Sequence, residues 1–148
     1  MTGLACNARE LWRRLVFNLL STNVDDHLHN LSFLDLSKGQ WPVASGQWQV
    51  APAFDLNPFP DKDRESKTWL SEDTGAITSI DDLMTHADYF HLNAAQAREI
   101  LSQVVDAVGV WRTSGAGARV GLSATELDEF APAFEHGQTH RSRALLGL

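Results

Sequence analysis

Val24-Asp25-Asp26-His27-Leu28-His29-Asn30 is the stretch on which the reading of this chain turns. Two acids, two imidazoles and a carboxamide follow one another with a single leucine among them, so the segment is either a solvated turn or a site. On its N-terminal side Leu11, Trp12, Leu15, Val16, Leu19 and Leu20 recur at helical spacing, with Arg9, Arg13, Arg14 and Asn18 on the other side. With Asn7 as a good cap, this pattern predicts a helix of about 14 residues ending near Ser21-Thr22-Asn23. On its C-terminal side residues 31–36 read as a short strand and Ser37-Lys38-Gly39 as a turn. Residues 47–51 read as a second strand, beyond a loop with Pro42 and Gly46, and the two strands are expected to pair as a hairpin.

Beyond the hairpin stands Ala51-Pro52-Ala53-Phe54-Asp55-Leu56-Asn57-Pro58-Phe59-Pro60. Its prolines exclude a helix interior or a central strand, so Asp55 is expected on a stiff loop at the hairpin's exit. Asn57 is either a further residue of the same cleft or a turn former before Pro58. Residues 61–67 form a polar run that suits a solvated loop, and Thr68-Trp69-Leu70 reads as one more short strand. The rest is helical. Ser79-x-x-Asp82 opens residues 80–90. Asn93-x-x-Gln96 opens a longer helix with Ala97, Ile100, Leu101, Val104, Val105, Val108 and Trp111 on its apolar side. Glycines at 115 and 117 predict a helix end and a loop. Ser123-x-x-Glu126 opens a short helix that Pro132 is expected to stop soon after, and the polar last dozen residues are expected to fray. Trp41, Trp48 and Trp69 could mark a recognition surface, but tryptophans near a small hairpin usually fill its core, and that is the expectation here.

A chain of 148 residues with 43% hydrophobic and 21% charged residues has the composition of one globular domain, so residues 1–148 are read as a single domain. The fold class expected from these elements is mainly α (α+β), helical with a small β-hairpin. A net charge of −7 with only 12 scattered basic residues opposes direct nucleic-acid binding. Cys6 is the single cysteine, which excludes an intrachain disulfide and a four-cysteine zinc site and suits the cytoplasm. No apolar run reaches the roughly 20 residues of a membrane span, and the N-terminus lacks the pattern of a signal peptide.

The chemistry rests on three residues. Asp25 is followed five positions later by Asn30, the interval between base and amide in a protein-kinase catalytic loop. In such a site the base positions the attacking hydroxyl's proton, and the amide with a second aspartate holds magnesium against the nucleotide phosphates. Asp25 suits the first role; Asn30 and Asp55 suit the second. The order of loop, strand pair and second aspartate also agrees.

At this point Phe17-Asn18-Leu19-Leu20, Asp25-Asp26-His27-Leu28-x-Asn30, Ser32-Phe33-Leu34 and Pro52-Ala53-Phe54-Asp55-Leu56-Asn57-Pro58 together resemble the C-terminal lobe of HipA-type kinase toxins. The helical tail from Asp81 onward is similar in character. The resemblance implies a protein-kinase-like C-lobe with Asp25 as catalytic base, Asn30 and Asp55 as magnesium ligands, and ATP as phosphoryl donor. It also implies a protein substrate, and a bacterial toxin-antitoxin setting with an antitoxin partner. Two departures stand out. Val24 takes a position where relatives tend to carry threonine, and neither a Gly-rich phosphate loop nor a strand lysine precedes Asp25. The chain therefore reads as a fragment or a split or degenerate kinase without its nucleotide-binding N-lobe, with little activity by itself unless a separate N-lobe chain completes it.

Two other readings compete. One is a non-catalytic interaction module for an antitoxin or target protein. The other is a small metal-dependent hydrolase using Asp25, Asp26, His27 and His29, although His27-x-His29 lacks a third zinc ligand at a usual spacing. His27 is expected to brace the loop by hydrogen bonding, and Asp26 stays outside the catalytic set.

Overall fold

The first helical pattern forms α1, Gly3–Leu20, in the computed structural model, which describes residues 3–36, 48–60, 66 and 68–148. Trp12, Val16 and Leu20 are fully buried and form the inner stripe of α1. They pack on α3, Ala94–Gly109, whose Ile100 and Leu101 are equally buried. Ile80 and Leu83 of α2, Ile80–Thr85, close the same core. Each such side chain contributes roughly 1.5–3 kcal/mol by leaving water.

The helix begins earlier than its sequence suggests, and Asn7 is not its cap. The Asn7 amide instead donates to the Trp48 carbonyl (2.7 Å) and accepts from the Val50 N–H (3.0 Å). Seven residues on, and so on the same face, Arg14 donates to the Ala51 carbonyl, although its sequence neighbourhood suggested a solvent-facing position. Two polar side chains of α1 thus hold the exit of the second strand.

That strand is β2, Trp48–Val50, antiparallel to β1, Phe33–Asp35, with Phe33 opposite Val50 and Asp35 opposite Trp48. Ala51 N–H continues the ladder to the Ser32 carbonyl at 2.8 Å. β1 is shorter than expected at both ends, and β2 at its C-terminal end. The predicted turn at residues 37–39, Pro42, Gly46 and Trp41 lie outside the described residues, as does most of the polar run at 61–67. Trp48 and Trp69 are not core residues: they are 44% and 60% exposed, and Trp69 forms an isolated bridge with Ala76.

The second half is helical with local corrections. Ser79 caps α2 through the Asp82 N–H, and the turn after it tightens into a 3-10 segment, Ala87–Phe90. Asn93 and Ser123 both form complete capping boxes, as their spacing predicts, opening α3 and α5 (Ala124–Phe134). Between them the long helix expected to reach Trp111 is interrupted at Val110, and Trp111–Ala116 is a separate helix, α4, that ends at Gly117. A β-carbon on Gly115 would come within 2.9 Å of Leu127 Cδ2, so this glycine serves helix-to-helix contact, not termination. Trp111 starts α4 and stacks on Phe134 at 4.7 Å between ring centroids. Pro132 lies inside α5, which runs two residues beyond it. The last residues form α6, Gly137–Leu146, and do not fray: Ser142 is fully buried, and Gln138 accepts from the Ile80 N–H at 2.9 Å. Among the described residues no helix is long and apolar enough to cross a membrane.

Three carboxyls in this half sit below their ordinary range. Asp81 is held down by the Arg141 guanidinium, Glu126 by the backbone and hydroxyl of Ser123, and Glu135 by Arg112. A depressed carboxyl stabilises the fold fully above its unfolded value, about 4, and that contribution is lost as pH falls through the folded value. Urea titrations should therefore show stability falling from about pH 4 downward. The Asp81→Asn, Glu135→Gln double variant should show a shallower acid slope than the parent; an equal slope would refute the assignment.

Candidate functional site

Residues 24–30 leave the end of α1 through a strained corner. Thr22 has φ 49°, a left-handed conformation that costs a β-branched residue roughly 1–2 kcal/mol or more. It is held by its hydroxyl on the Ala133 carbonyl (2.9 Å) and its own carbonyl on the Phe59 N–H (3.2 Å). The loop then closes in a 3-10 turn, Leu28–Asn30, with Asn30 N–H on the His27 carbonyl at 2.9 Å.

Asn30 Nδ2 donates to the Asp25 main-chain carbonyl at 2.8 Å. Because a carbonyl can only accept, the amide orientation is fixed by chemistry, and Asn30 Oδ1 faces away from this bond. The Asp25 carboxylate lies 3.7 Å from His27 Nε2, both side chains being more than a third exposed. His27 Nδ1 is enclosed and makes no hydrogen bond among the described residues. The His27 and His29 rings meet edge to face at 5.3 Å. Among the described residues no three His, Cys, Asp or Glu side chains are grouped to hold a metal ion, so the geometry lends no support to the hydrolase set of Asp25, Asp26, His27 and His29.

Asp55 stands on the stretch that leaves β2, at φ 54°. Asp tolerates this region better than most residues, so the turn is made without glycine, and the residue is exposed. Asn57 Nδ2 donates to Asp55 Oδ1 at 2.8 Å. The two stretches meet at a cavity of about 290 Å³. Asn30, His27 and Asp26 line it from one side, and Phe54 and Leu56, the neighbours of Asp55, from the other. The structure therefore joins Asp25 to Asn30 directly and brings the Asp55 stretch to the same cavity, while Asp25 and Asp55 themselves do not line it. A carboxamide oxygen and a carboxylate are hard donors, suited to magnesium and not to zinc.

Sequence reasoning missed three participants. Asp26 is a tether: Ser66 Oγ donates to its carboxylate and Thr68 Oγ1 to its carbonyl, each at 2.7 Å. Asn18, half-buried, and Asn23, buried beside the loop, bond to each other at 2.9 Å. Each looks in sequence like an ordinary polar residue at a helix end, and only tertiary contact gives it a task.

Compared with known protein families, residues 3–111 match the HipA-like C-terminal domain. No curated protein and no solved structure matches the chain. The matched residues hold the loop of Asp25 and Asn30, the strand pair and Asp55, and they make up well over half of the sequence: the chain belongs to the HipA-like C-terminal domain family.

Proposed function

We propose that this chain carries the base-and-metal half of a phosphoryl-transfer site, of the serine/threonine protein-kinase kind, that moves the ATP γ-phosphate to a protein hydroxyl. The observation that carries the reading is the bond from Asn30 Nδ2 to the Asp25 carbonyl. It locks base and amide into one loop and leaves the amide oxygen for a cation. Asp25 accepts or positions the proton of the attacking hydroxyl, a role that needs a carboxylate within hydrogen-bond reach of the substrate. Asn30 Oδ1 and Asp55 would hold magnesium, which when bound neutralises charge on the nucleotide phosphates. Asn57 keeps the Asp55 carboxylate in one orientation.

These 148 residues contain no Gly-rich phosphate loop ahead of Asp25. Positioning and electrostatic stabilisation supply most of the rate in phosphoryl transfer, so the residues in hand should transfer phosphate poorly until a nucleotide lobe is supplied. A protein substrate, an antitoxin partner and a bacterial, cytoplasmic toxin-antitoxin setting belong to the same reading.

Calorimetric titration with magnesium and ATP tests it. Weak, magnesium-dependent binding that disappears in Asp55→Ala is expected, and identical titrations for the two proteins would refute the reading. A second reading, an interaction module for an antitoxin or target protein, draws support from Phe33, Leu34, Trp48, Phe54 and Trp69, each at least 43% exposed on or near the sheet. Identical titrations would favour it.

A further inference from the structure

Three asparagines run in series from α1 to the Asp55 carboxylate. Asn18, in the last turn of α1, accepts from Asn23 twice, at its side-chain oxygen and at its carbonyl, both at 2.9 Å. Asn23 is 3% exposed, and its Oδ1 accepts the Asn57 N–H at 3.2 Å. Asn57 Nδ2 then reaches Asp55 Oδ1 at 2.8 Å. Both ends of the Asn23 amide are occupied, one by the helix and one by the loop that carries Asp55.

A buried carboxamide is a costly way to fill space, since an apolar side chain would pack there without needing partners. What an apolar side chain could not do is connect residues 18 and 57. The connection matters because Asp55 has positive φ and its side chain is exposed, so neither backbone preference nor packing holds the carboxylate in place. Asn23 also stands two residues ahead of Asp25. One side chain therefore anchors the start of the base-bearing loop and the loop of the second acid.

We infer that Asn23 is a positioning residue that sets the Asp55 carboxylate relative to the Asp25–Asn30 loop, acting through Asn57. The functional consequence rests on the phosphoryl-transfer reading; the mechanical link does not. A residue that merely satisfies its own hydrogen bonds would affect stability alone. A positioning residue alters cation and nucleotide affinity where stability is untouched, and an isostere that keeps the acceptor restores it.

Two readouts and three variants decide the matter. Amide hydrogen exchange followed by NMR reads the link without any ligand, and calorimetry with magnesium and ATP reads its use. Asn23→Leu should speed exchange of the Asn57 amide roughly tenfold, the factor for one lost hydrogen bond, while Asn23→Asp keeps the acceptor and the slow exchange. Asn57→Ala, at an exposed position, should leave the melting temperature unchanged and weaken magnesium-ATP binding roughly tenfold. The inference is overturned if Asn57 exchange is the same in Asn23→Leu as in wild type, or if wild type binds magnesium-ATP and Asn57→Ala binds it equally well. Should Asn23→Leu fail to fold, the Asp55 amide shift in Asn57→Ala decides in its place, an unchanged shift counting against the link. If wild type binds no nucleotide but the exchange rates change as expected, the phosphoryl-transfer reading fails and the link stands.

Discussion

Asp25→Asn is expected to lower phosphate transfer roughly 10²- to 10⁴-fold, the usual contribution of a general base, while leaving magnesium-ATP affinity nearly unchanged. The split follows from which atom of Asp25 does what. Asn30 bonds to the main-chain carbonyl of Asp25 and not to its carboxylate, so an isosteric amide at position 25 keeps the loop in shape. What disappears is the ability to take a proton. The measurement is radiolabelled phosphate transfer by these residues joined to a nucleotide lobe, with calorimetry on the same proteins. Parallel loss of rate and affinity would make Asp25 a structural or metal-binding residue, and an unchanged rate would remove it from the chemistry.

Trp12→Ala should cost about 3–5 kcal/mol of folding stability, the range for removing a large aromatic residue from a packed core. Trp12 is fully buried in α1, and the core it belongs to is shared by α2 and α3. Since a domain is stable by only about 5–15 kcal/mol, the variant should be close to unfolding at room temperature. Trp12→Phe should lose far less. The indole Nε1 is enclosed without a partner among the described residues, and an unmade bond of that kind costs about 1–3 kcal/mol. The phenylalanine sheds this cost while giving up one ring's worth of packing. Urea unfolding of the three proteins checks the order, and a Trp12→Phe loss as large as that of Trp12→Ala would show that the indole's size outweighs its orphaned donor.

The features legible in sequence were those decided within a few residues. Asn93 and Ser123 could be assigned as caps because a capping box is a bond from a side chain to the third residue after it. Asp25 and Asn30 could be paired for the same reason, since their bond closes within one loop. Where a residue's partner lies far along the chain, local rules misled. Asn7 has the character of a cap and is used 41 and 43 positions away, on Trp48 and Val50. Gly115 has the character of a helix end and is needed because Leu127 crowds it. The tail looked too polar to order, yet Arg141 meets Asp81 at 2.8 Å and Leu145 and Leu146 reach the core. The same limit hid Asn23, whose task appears only when Asn57 folds back beside it.

The Thr22 hydroxyl bond to Ala133 ties the loop to residues beyond the matched pattern. Ala133 is fully buried and lies 22 residues past the last position that matches the family. The corner from which the loop of Asp25 and Asn30 springs is thus clasped by a helix outside the shared pattern. A boundary drawn from sequence kinship at residue 111 would remove most of α4 together with α5 and α6, and with them one of the two hydrogen bonds that hold the strained corner. The matched pattern and the contacts that hold its loop are different lengths of the same chain. Here the longer one sets the loop's footing.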